Sequence, residues 1–204
     1  MNQENILKLI EHRLWGEITN LYSPRELVKS LSFRDSLILA YRLLYNDKWD
    51  ELLQDYSVRL LFEIRNVYSN EWNESWEYDA LIGLACYITY KHEERYVAYK
   101  KAFDKVDRPP PRLLIELARC CICPGPPPIS YDQAINLVLI ALKDIPYADG
   151  ISLLCNIYSL KNDQIKKDYW SKYLKNLNDS GKSLNSSSIE PKFLVEKYLQ
   201  DNKK

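Results

Sequence analysis

Apolar residues recur at intervals of three and four along nearly the whole chain, and sustained strict alternation of apolar and polar residues is absent. Intervals of three and four place apolar side chains on one stripe of an α-helix, whereas strict alternation is typical of a half-buried strand. The scarcity of glycine, five in 204 residues, also argues against a fold rich in tight turns. The pattern therefore predicts an all-α fold of about ten to twelve helices.

Helix starts and breaks are visible in the first half of the chain. Ser23 is predicted to cap a helix, with Pro24 at the first helical position, where the missing N–H of proline costs nothing. Residues 45–47, "YND", are predicted to break the helical pattern between two longer helices.

The second half is predicted to form three successive helix pairs, in the order 75–91 with 93–107, 109–122 with 130–144, and 147–160 with 164–177. The first helix of each pair carries a small residue at the same place in its apolar pattern: Ala85, Ala118 and Cys155. A small side chain there lets the second helix of the pair cross closely. The unit length is 33 residues from Ala85 to Ala118 and 37 from Ala118 to Cys155.

One helix carries a more specific pattern. Tyr131 is followed by Ala134, Val138, Ala141 and Pro146. This pattern resembles the second helix of a tetratricopeptide repeat, a helix-turn-helix unit of about 34 residues. The resemblance implies a helical-hairpin (tetratricopeptide-like) α-solenoid, and it identifies an architecture without naming a ligand.

The other units resemble the family more loosely. An earlier unit matches in part at Leu39, Ala40, Leu43, Trp49, Leu52 and Tyr56. It departs at Ser36, where a large residue is expected, and at Arg59, where a small one is. The last pair is more similar to the related Sel1 repeats. The resemblance covers residues 36–177.

Three segments are predicted along the chain. Residues 1–179 are expected to form a single helical-repeat domain, and the serine-rich residues 180–188 a polar linker. Residues 189–204 are expected to form a C-terminal helix that covers the last repeat, with a loose tail as the alternative.

Charge and composition exclude several classes of partner. Twenty-eight basic residues balance 28 acidic ones, so the net charge does not indicate a protein that binds nucleic acid. The longest apolar run is far shorter than the roughly 18 residues that a membrane-spanning helix needs, and the N-terminus lacks the pattern of a secretory signal. Five cysteines cannot all pair, which favours free thiols in a reducing cytoplasm.

The chain offers few residues for catalysis. It has two histidines, His12 and His92, and "HEERY" at His92 lacks the second histidine of a zinc-binding HExxH motif. Neither a phosphate-binding glycine loop nor a GxSxG motif is present. We therefore expect no enzyme activity, no catalytic residue, no cofactor and no bound metal.

The segment "CCICPGPPPIS", residues 120–130, is the strongest candidate for such chemistry. Cys120, Cys121 and Cys123 lie close together in sequence, but on an α-helix Cys120 and Cys121 point about 100° apart, which disfavours one shared metal. Packing of these thiols in the core is the favoured interpretation, with a metal site completed by Cys86, Cys155 or His92, or a redox role, as alternatives. Residues 124–128 are predicted to form a stiff exposed loop, because proline cannot continue the helix.

One segment is a candidate partner-binding site. Acidic and aromatic side chains alternate without a basic residue at Glu71, Trp72, Glu74, Trp76, Glu77, Tyr78 and Asp79. Aromatic residues anchor interfaces and carboxylates attract a basic partner. Trp72→Ala combined with Glu74→Lys would then abolish binding without unfolding the protein. The alternative is that Trp76 caps a helix core and the acids favour the positive N-terminal end of the next helix.

Helical-repeat proteins usually hold another protein or a peptide, so the resemblance implies a protein-binding module. Small helical proteins of this kind are similar to bacterial immunity proteins, which neutralise a sibling toxin. This similarity implies one cognate partner, a toxin domain, most simply a basic nuclease. The alternatives are a secretion chaperone or regulatory adaptor that holds a peptide and, more distantly, a metal- or cysteine-dependent enzyme.

Overall fold

The computed structural model describes residues 3–180, which form twelve α-helices and one short 3₁₀ helix. The helices are α1 (Gln3–Glu11), α2 (Trp15–Leu21), α3 (Pro24–Ser30), α4 (Phe33–Leu44), α5 (Glu51–Val67), α6 (Ser69–Asn73), α7 (Trp76–Ile88), α8 (His92–Asp104), α9 (Pro111–Arg119), the 3₁₀ helix (Cys120–Ile122), α10 (Tyr131–Ala141), α11 (Ala148–Leu160) and α12 (Gln164–Asp179). Neighbouring helices pack in pairs, which confirms the predicted all-α fold. The predicted C-terminal helix, and the predicted linker after Ser180, lie outside the described residues.

Side-chain caps fix the helix starts that the sequence predicted. Ser23 forms a capping box with Glu26: the Glu26 carboxylate accepts from the Ser23 N–H at 2.8 Å, and the Ser23 hydroxyl accepts from the Glu26 N–H. Ser130 and Gln133 form the same box at the start of α10. Each box satisfies two N–H groups that the helix itself leaves unpaired.

The chain divides into two compact units, with the boundary after Lys91. Helix α7 packs on α5 in the first unit, and α8 packs on α9 in the second.

In the first unit, α5 is the central helix. It packs against α2, α3, α4, α6 and α7, and its side chains Leu60, Leu61 and Ile64 are fully buried. The Ser57 hydroxyl on α5 donates to the Ala40 carbonyl of α4 at 2.6 Å, which joins two helices at a close crossing.

In the second unit, consecutive helices from α8 to α12 pack on one another in chain order. The apolar face of α10 packs in the core, where Ala134, Val138 and Ala141 are all buried. Ala118 is fully buried and Cys155 is half-buried beside α12, 3.5 Å from the Ser171 hydroxyl.

Gly150 marks another close crossing in this unit. A Cβ at this position would lie 2.9 Å from Cδ1 of Ile115 and 3.3 Å from Cδ2 of Leu142. A larger residue would therefore require the Ile115 and Leu142 side chains to move.

None of the helices within residues 3–180 is long and apolar enough to cross a membrane.

Candidate functional site

Of the seven residues in the predicted acidic and aromatic segment, three are buried in the structure. Trp72, Tyr78 and Asp79 are buried, and Trp72 is only 1% exposed. The indole Nε1 of Trp72 donates to Oδ1 of Asp79 at 3.1 Å, and the Trp72 ring lies 5.4 Å from that of Tyr78. These side chains bury apolar area and satisfy the one polar atom of the indole, so they present nothing to a partner.

The other four residues of that segment remain at the surface. Glu71 and Glu74 are exposed, while Trp76 and Glu77 are partly exposed in the first turn of α7. The Ser75 hydroxyl caps this helix by accepting from the Glu77 N–H at 3.2 Å. Glu77 thus lies where a carboxylate favours the positive end of a helix, and Trp76 is the one aromatic side chain of the seven that a partner can reach.

A second surface of the first unit carries more exposed aromatic area. We define the aromatic groove by the residues that line it: Trp49, Glu51, Gln54, Asp55, Tyr87, Ile88, Thr89 and Tyr90. Its volume is about 470 Å³. Trp49 is 62% exposed, Tyr87 49% and Tyr90 79%, which is a large aromatic area on one open surface.

The backbone at Trp49 has a conformation that bulky residues avoid. Its φ is 51°, in the left-handed region that costs an ordinary residue roughly 1–2 kcal/mol. The loop is held there by Asn46, whose amide Nδ2 donates to the Leu43 carbonyl at 2.9 Å and whose Oδ1 accepts from the Asp50 N–H at 2.8 Å. These bonds hold Trp49 in one position at the edge of the groove.

Tyr90, which also lines the groove, has the same unusual conformation, with φ of 57°. It ends α7 in a Schellman motif, in which the Lys91 N–H donates to the Cys86 carbonyl at 2.8 Å and the Tyr90 N–H to the Tyr87 carbonyl. This position is usually glycine, or asparagine as at Asn162 after α11. Strained residues of this kind concentrate at functional sites, and here two of them line one groove.

The groove also contains a buried donor. Gln54 is 4% exposed, and its Nε2 has no hydrogen-bond partner among the described residues. The groove carries the carboxylates of Glu51 and Asp55, of which Asp55 is paired with Lys91. A ligand that supplies a carbonyl to Gln54 and a positive charge to Glu51 would satisfy both.

Sequence reasoning missed this groove because the repeat pattern assigned Trp49 and Leu52 to packing positions. Both are exposed, Leu52 by 79%, whereas Tyr56 of the same pattern is buried. Helix α5 begins at Glu51, so Trp49 precedes the helix and its position in the periodic pattern carries no meaning. The available signal was a large aromatic residue beside the predicted "YND" break, where a turn holds side chains at the surface.

The second unit contains a cluster of buried charge and thiols, which we call the thiol cluster: Arg95, Glu116, Cys120 and Cys123. Arg95 is 2% exposed, and its Nη2 donates to Oε2 of Glu116 at 3.2 Å. Its Nη1 lies 3.5 Å from Sγ of Cys123. A buried guanidinium therefore contacts both a carboxylate and a half-buried thiol.

The environments of the two thiols drive their pKa values apart. The pKa of Cys123 is lowered to about 6, first by hydrogen bonding with Cys120 and then by the neighbouring Arg95 and His92, against the opposing effect of burial. The hydrogen bond to Cys123, together with burial, raises the pKa of Cys120. Cys123 is therefore the more acidic thiol of the two.

The predicted packing role holds for two of the three clustered cysteines. Cys120 and Cys121 are buried, Cys121 within the apolar core of the second unit, while Cys123 is half-buried. The residues 124–128 that follow form an exposed loop, as predicted. Among residues 3–180, no three His, Cys, Asp or Glu side chains converge to hold a metal ion.

The chain was also compared with known proteins. No protein-family model, curated protein or solved structure matches it. Its function is therefore inferred from its own residues.

Proposed function

We propose that this protein is a non-enzymatic protein-binding module whose aromatic groove holds a basic segment of one partner protein. The observation that carries the proposal is the pair of exposed aromatic residues, Trp49 and Tyr90, held in left-handed conformations on one groove. Both conformations cost folding free energy, and neither residue offsets that cost by packing in the core.

Each part of the groove fits a protein segment as its occupant. Tryptophan and tyrosine are the side chains that most often dominate binding energy at interfaces. Because the Asn46 bonds and the Schellman motif fix their backbones, little ordering free energy is lost on binding. Gln54 would donate to a backbone carbonyl of the segment, and Glu51 would pair with a lysine or arginine beside it.

We propose a bacterial toxin domain, most simply a nuclease, as the partner, which makes this chain an immunity protein that acts in the cytoplasm. A basic nuclease surface complements the carboxylates of the groove, and aromatic anchors would let the immunity protein cover it. The free cysteines of the described residues fit a reducing compartment.

The toxin proposal is tested by co-expression. The reading frame next to the gene for this chain is expressed in a heterologous bacterium, alone and together with this protein. We expect growth arrest in the first case and normal growth in the second. Absence of toxicity, together with purification of this chain bound to a secreted cargo protein, would favour a chaperone instead.

Groove variants test the binding surface itself. Tyr90→Gly is expected to raise the free energy of unfolding by about 1 kcal/mol, because glycine relieves the left-handed strain. The same change is expected to weaken partner binding at least about tenfold, since an interface anchor costs 1.4 kcal/mol or more when it is removed. Trp49→Ala should weaken binding by a similar factor. Affinity is measured by calorimetry and stability by urea unfolding.

Tyr169→Ala serves as the matched control, because Tyr169 is 61% exposed on α12 in the second unit. We expect no change in affinity for this variant. If Tyr90→Gly and Trp49→Ala bind as tightly as the wild type, the aromatic groove is not the partner site. In that case Trp76 and Glu74 of the predicted segment are the next residues to replace.

A further inference from the structure

We propose that Cys120 and Cys123 form a redox-active dithiol that exchanges with low-molecular-weight disulfides, with Cys123 as the attacking sulfur. This inference concerns the second unit and goes beyond the protein-binding function proposed above.

The local backbone brings the two sulfurs to one side of the chain. Helix α9 ends at Arg119 and continues as a 3₁₀ helix over Cys120–Ile122, closed by a hydrogen bond from the Cys123 N–H to the Cys120 carbonyl at 3.4 Å. Side chains three apart eclipse one another in this geometry, and a rise of about 2.0 Å per residue separates the two Cα atoms by about 6 Å. That separation lies within the range that a disulfide spans.

Cys121 is directed elsewhere by the same geometry. With three residues per turn, it projects about 120° from the other two cysteines. Its side chain packs in the apolar core with Ala118 and Ala134, where a thiol is inert. The reactive pair is therefore Cys120 and Cys123, in a Cys-x-x-Cys spacing.

Cys123 has the features of an attacking sulfur. It is partly accessible, and Nη1 of the buried Arg95 lies 3.5 Å from its Sγ. The thiolate is the nucleophile in disulfide exchange, and a neighbouring guanidinium stabilises it. Hydrogen bonding with Cys120 and the charge of Arg95 both lower the pKa of Cys123.

Cys120 has the features of a resolving sulfur. It is fully buried and its pKa is raised, so a disulfide reagent in solution does not reach it and it does not attack first. Once Cys123 carries the mixed disulfide, its sulfur lies on the same side of the 3₁₀ helix as Cys120, at a separation that a disulfide can span.

The exchange has two balanced steps. The Cys123 thiolate attacks one sulfur of a small disulfide RSSR, forms the Cys123–SR bond and releases RS⁻. Cys120 then loses its proton to solvent and attacks Sγ of Cys123, which forms the Cys120–Cys123 disulfide and releases a second RS⁻. In sum, the protein dithiol is oxidised by two electrons while RSSR is reduced to two thiols, and excess RSH reverses the reaction.

Oxidised glutathione is the probe for this reaction, with intact-mass spectrometry of the full chain at pH 7. We expect the wild type to lose the mass of two hydrogens, with peptide mapping that joins Cys120 to Cys123. Reduced glutathione should restore the original mass. The variant Cys120→Ser should stop at the first step and retain one glutathione on Cys123, whereas Cys123→Ser should gain neither a glutathione nor a disulfide in this segment.

Two controls keep the result interpretable. Cys155→Ser removes a half-buried cysteine outside the cluster and should form the Cys120–Cys123 disulfide at the wild-type rate. Circular dichroism verifies the fold of each variant, and Cys120→Ala replaces Cys120→Ser if a buried hydroxyl unfolds the chain.

Alkylation of Cys123 by iodoacetamide provides an independent measurement. Its rate in the native chain should reach half-maximum about two pH units below the value in the urea-unfolded chain, where a cysteine has an ordinary pKa of about 8.5. A native midpoint equal to the unfolded one, or a wild type that keeps its mass or retains glutathione without forming the Cys120–Cys123 disulfide, would overturn the proposal.

Discussion

Replacement of Trp72 by alanine is expected to lower the free energy of unfolding by about 3–5 kcal/mol, as for other fully buried tryptophans. The indole is 1% exposed and contacts the ring of Tyr78, which in turn packs edge-on against Phe33 at 5.3 Å. The change opens a cavity in this aromatic cluster. It also removes the indole that donates to the carboxylate of Asp79, which is itself 1% exposed.

Trp76→Ala is the matched control in the same segment. Trp76 is partly exposed at the first position of α7, so we expect a loss well under half that of Trp72→Ala. Glu74→Lys should change the stability by no more than about 0.5 kcal/mol, since Glu74 is exposed. Urea unfolding followed by tryptophan fluorescence and circular dichroism measures all three. Equal losses for Trp72→Ala and Trp76→Ala would show that the aromatic cluster does not form as described.

This expectation changes how a binding experiment on that segment is interpreted. The sequence suggested that Trp72→Ala with Glu74→Lys would abolish binding without unfolding. A burial of 99% for Trp72 means that lost binding in this double variant would report lost structure. The variants Trp76→Ala and Glu74→Lys test the surface of the segment without disturbing its core.

The helical fold was predictable because local chemistry determines it. Ser23 before Pro24, and Ser130 three residues before Gln133, are sufficient to place two helix starts, since capping depends on neighbours in the sequence. The apolar intervals of α10 were likewise sufficient to place its buried face, because a helix repeats every 3.6 residues whatever surrounds it.

Burial at the ends of helices was not predictable in the same way. Trp72 and Trp76 are both aromatic residues among acids, and tertiary packing alone decides that the first is buried and the second partly exposed. Trp49 fitted a packing pattern that continued across a helix break, where the angular relation between positions is lost.

The thiol cluster depends on a change of helix type. An α-helix turns about 100° per residue, so the sequence predicted that the Cys120 and Cys121 side chains diverge. The sequence indicated no specific partner for the Cys123 thiol. The structure tightens to a 3₁₀ helix at Cys120, which brings residues 120 and 123 to one side. Tightened last turns are common at helix ends, and Pro124 after the third cysteine indicated that this was such an end. Arg95, 28 residues from Cys123, could be placed beside it only by the tertiary fold.

Removal of either partner of the Arg95–Glu116 ion pair is expected to have an effect as large as that of Trp72→Ala. The Arg95 and Glu116 side chains are 3% and 11% exposed, so Arg95→Met removes a buried partner of the Glu116 carboxylate, and Glu116→Leu removes a buried partner of the Arg95 guanidinium. Such a change typically costs about 3–5 kcal/mol. Glu116 also pairs with Arg119 at 3.3 Å, and Arg119 retains Asp149 as a second partner when Glu116 is replaced.

The double variant Arg95→Met with Glu116→Leu distinguishes two quantities: the net contribution of the ion pair to the free energy of unfolding, and the loss caused by removing only one partner. We expect it to recover most of the loss of either single variant, because the desolvation of two charges offsets most of their attraction. Urea unfolding of the wild type and the three variants gives the coupling free energy, and additive losses would show that the two charges do not stabilise each other.

Iodoacetamide kinetics on the same proteins give a second measurement. The pH of half-maximal alkylation of Cys123 should rise in Arg95→Met and in the double variant, which both lack the guanidinium. It should not rise in Glu116→Leu, which retains the guanidinium. A buried pair that contributes little net stability but controls the charge of Cys123 would explain why this core contains ionic groups where apolar side chains of similar size would pack.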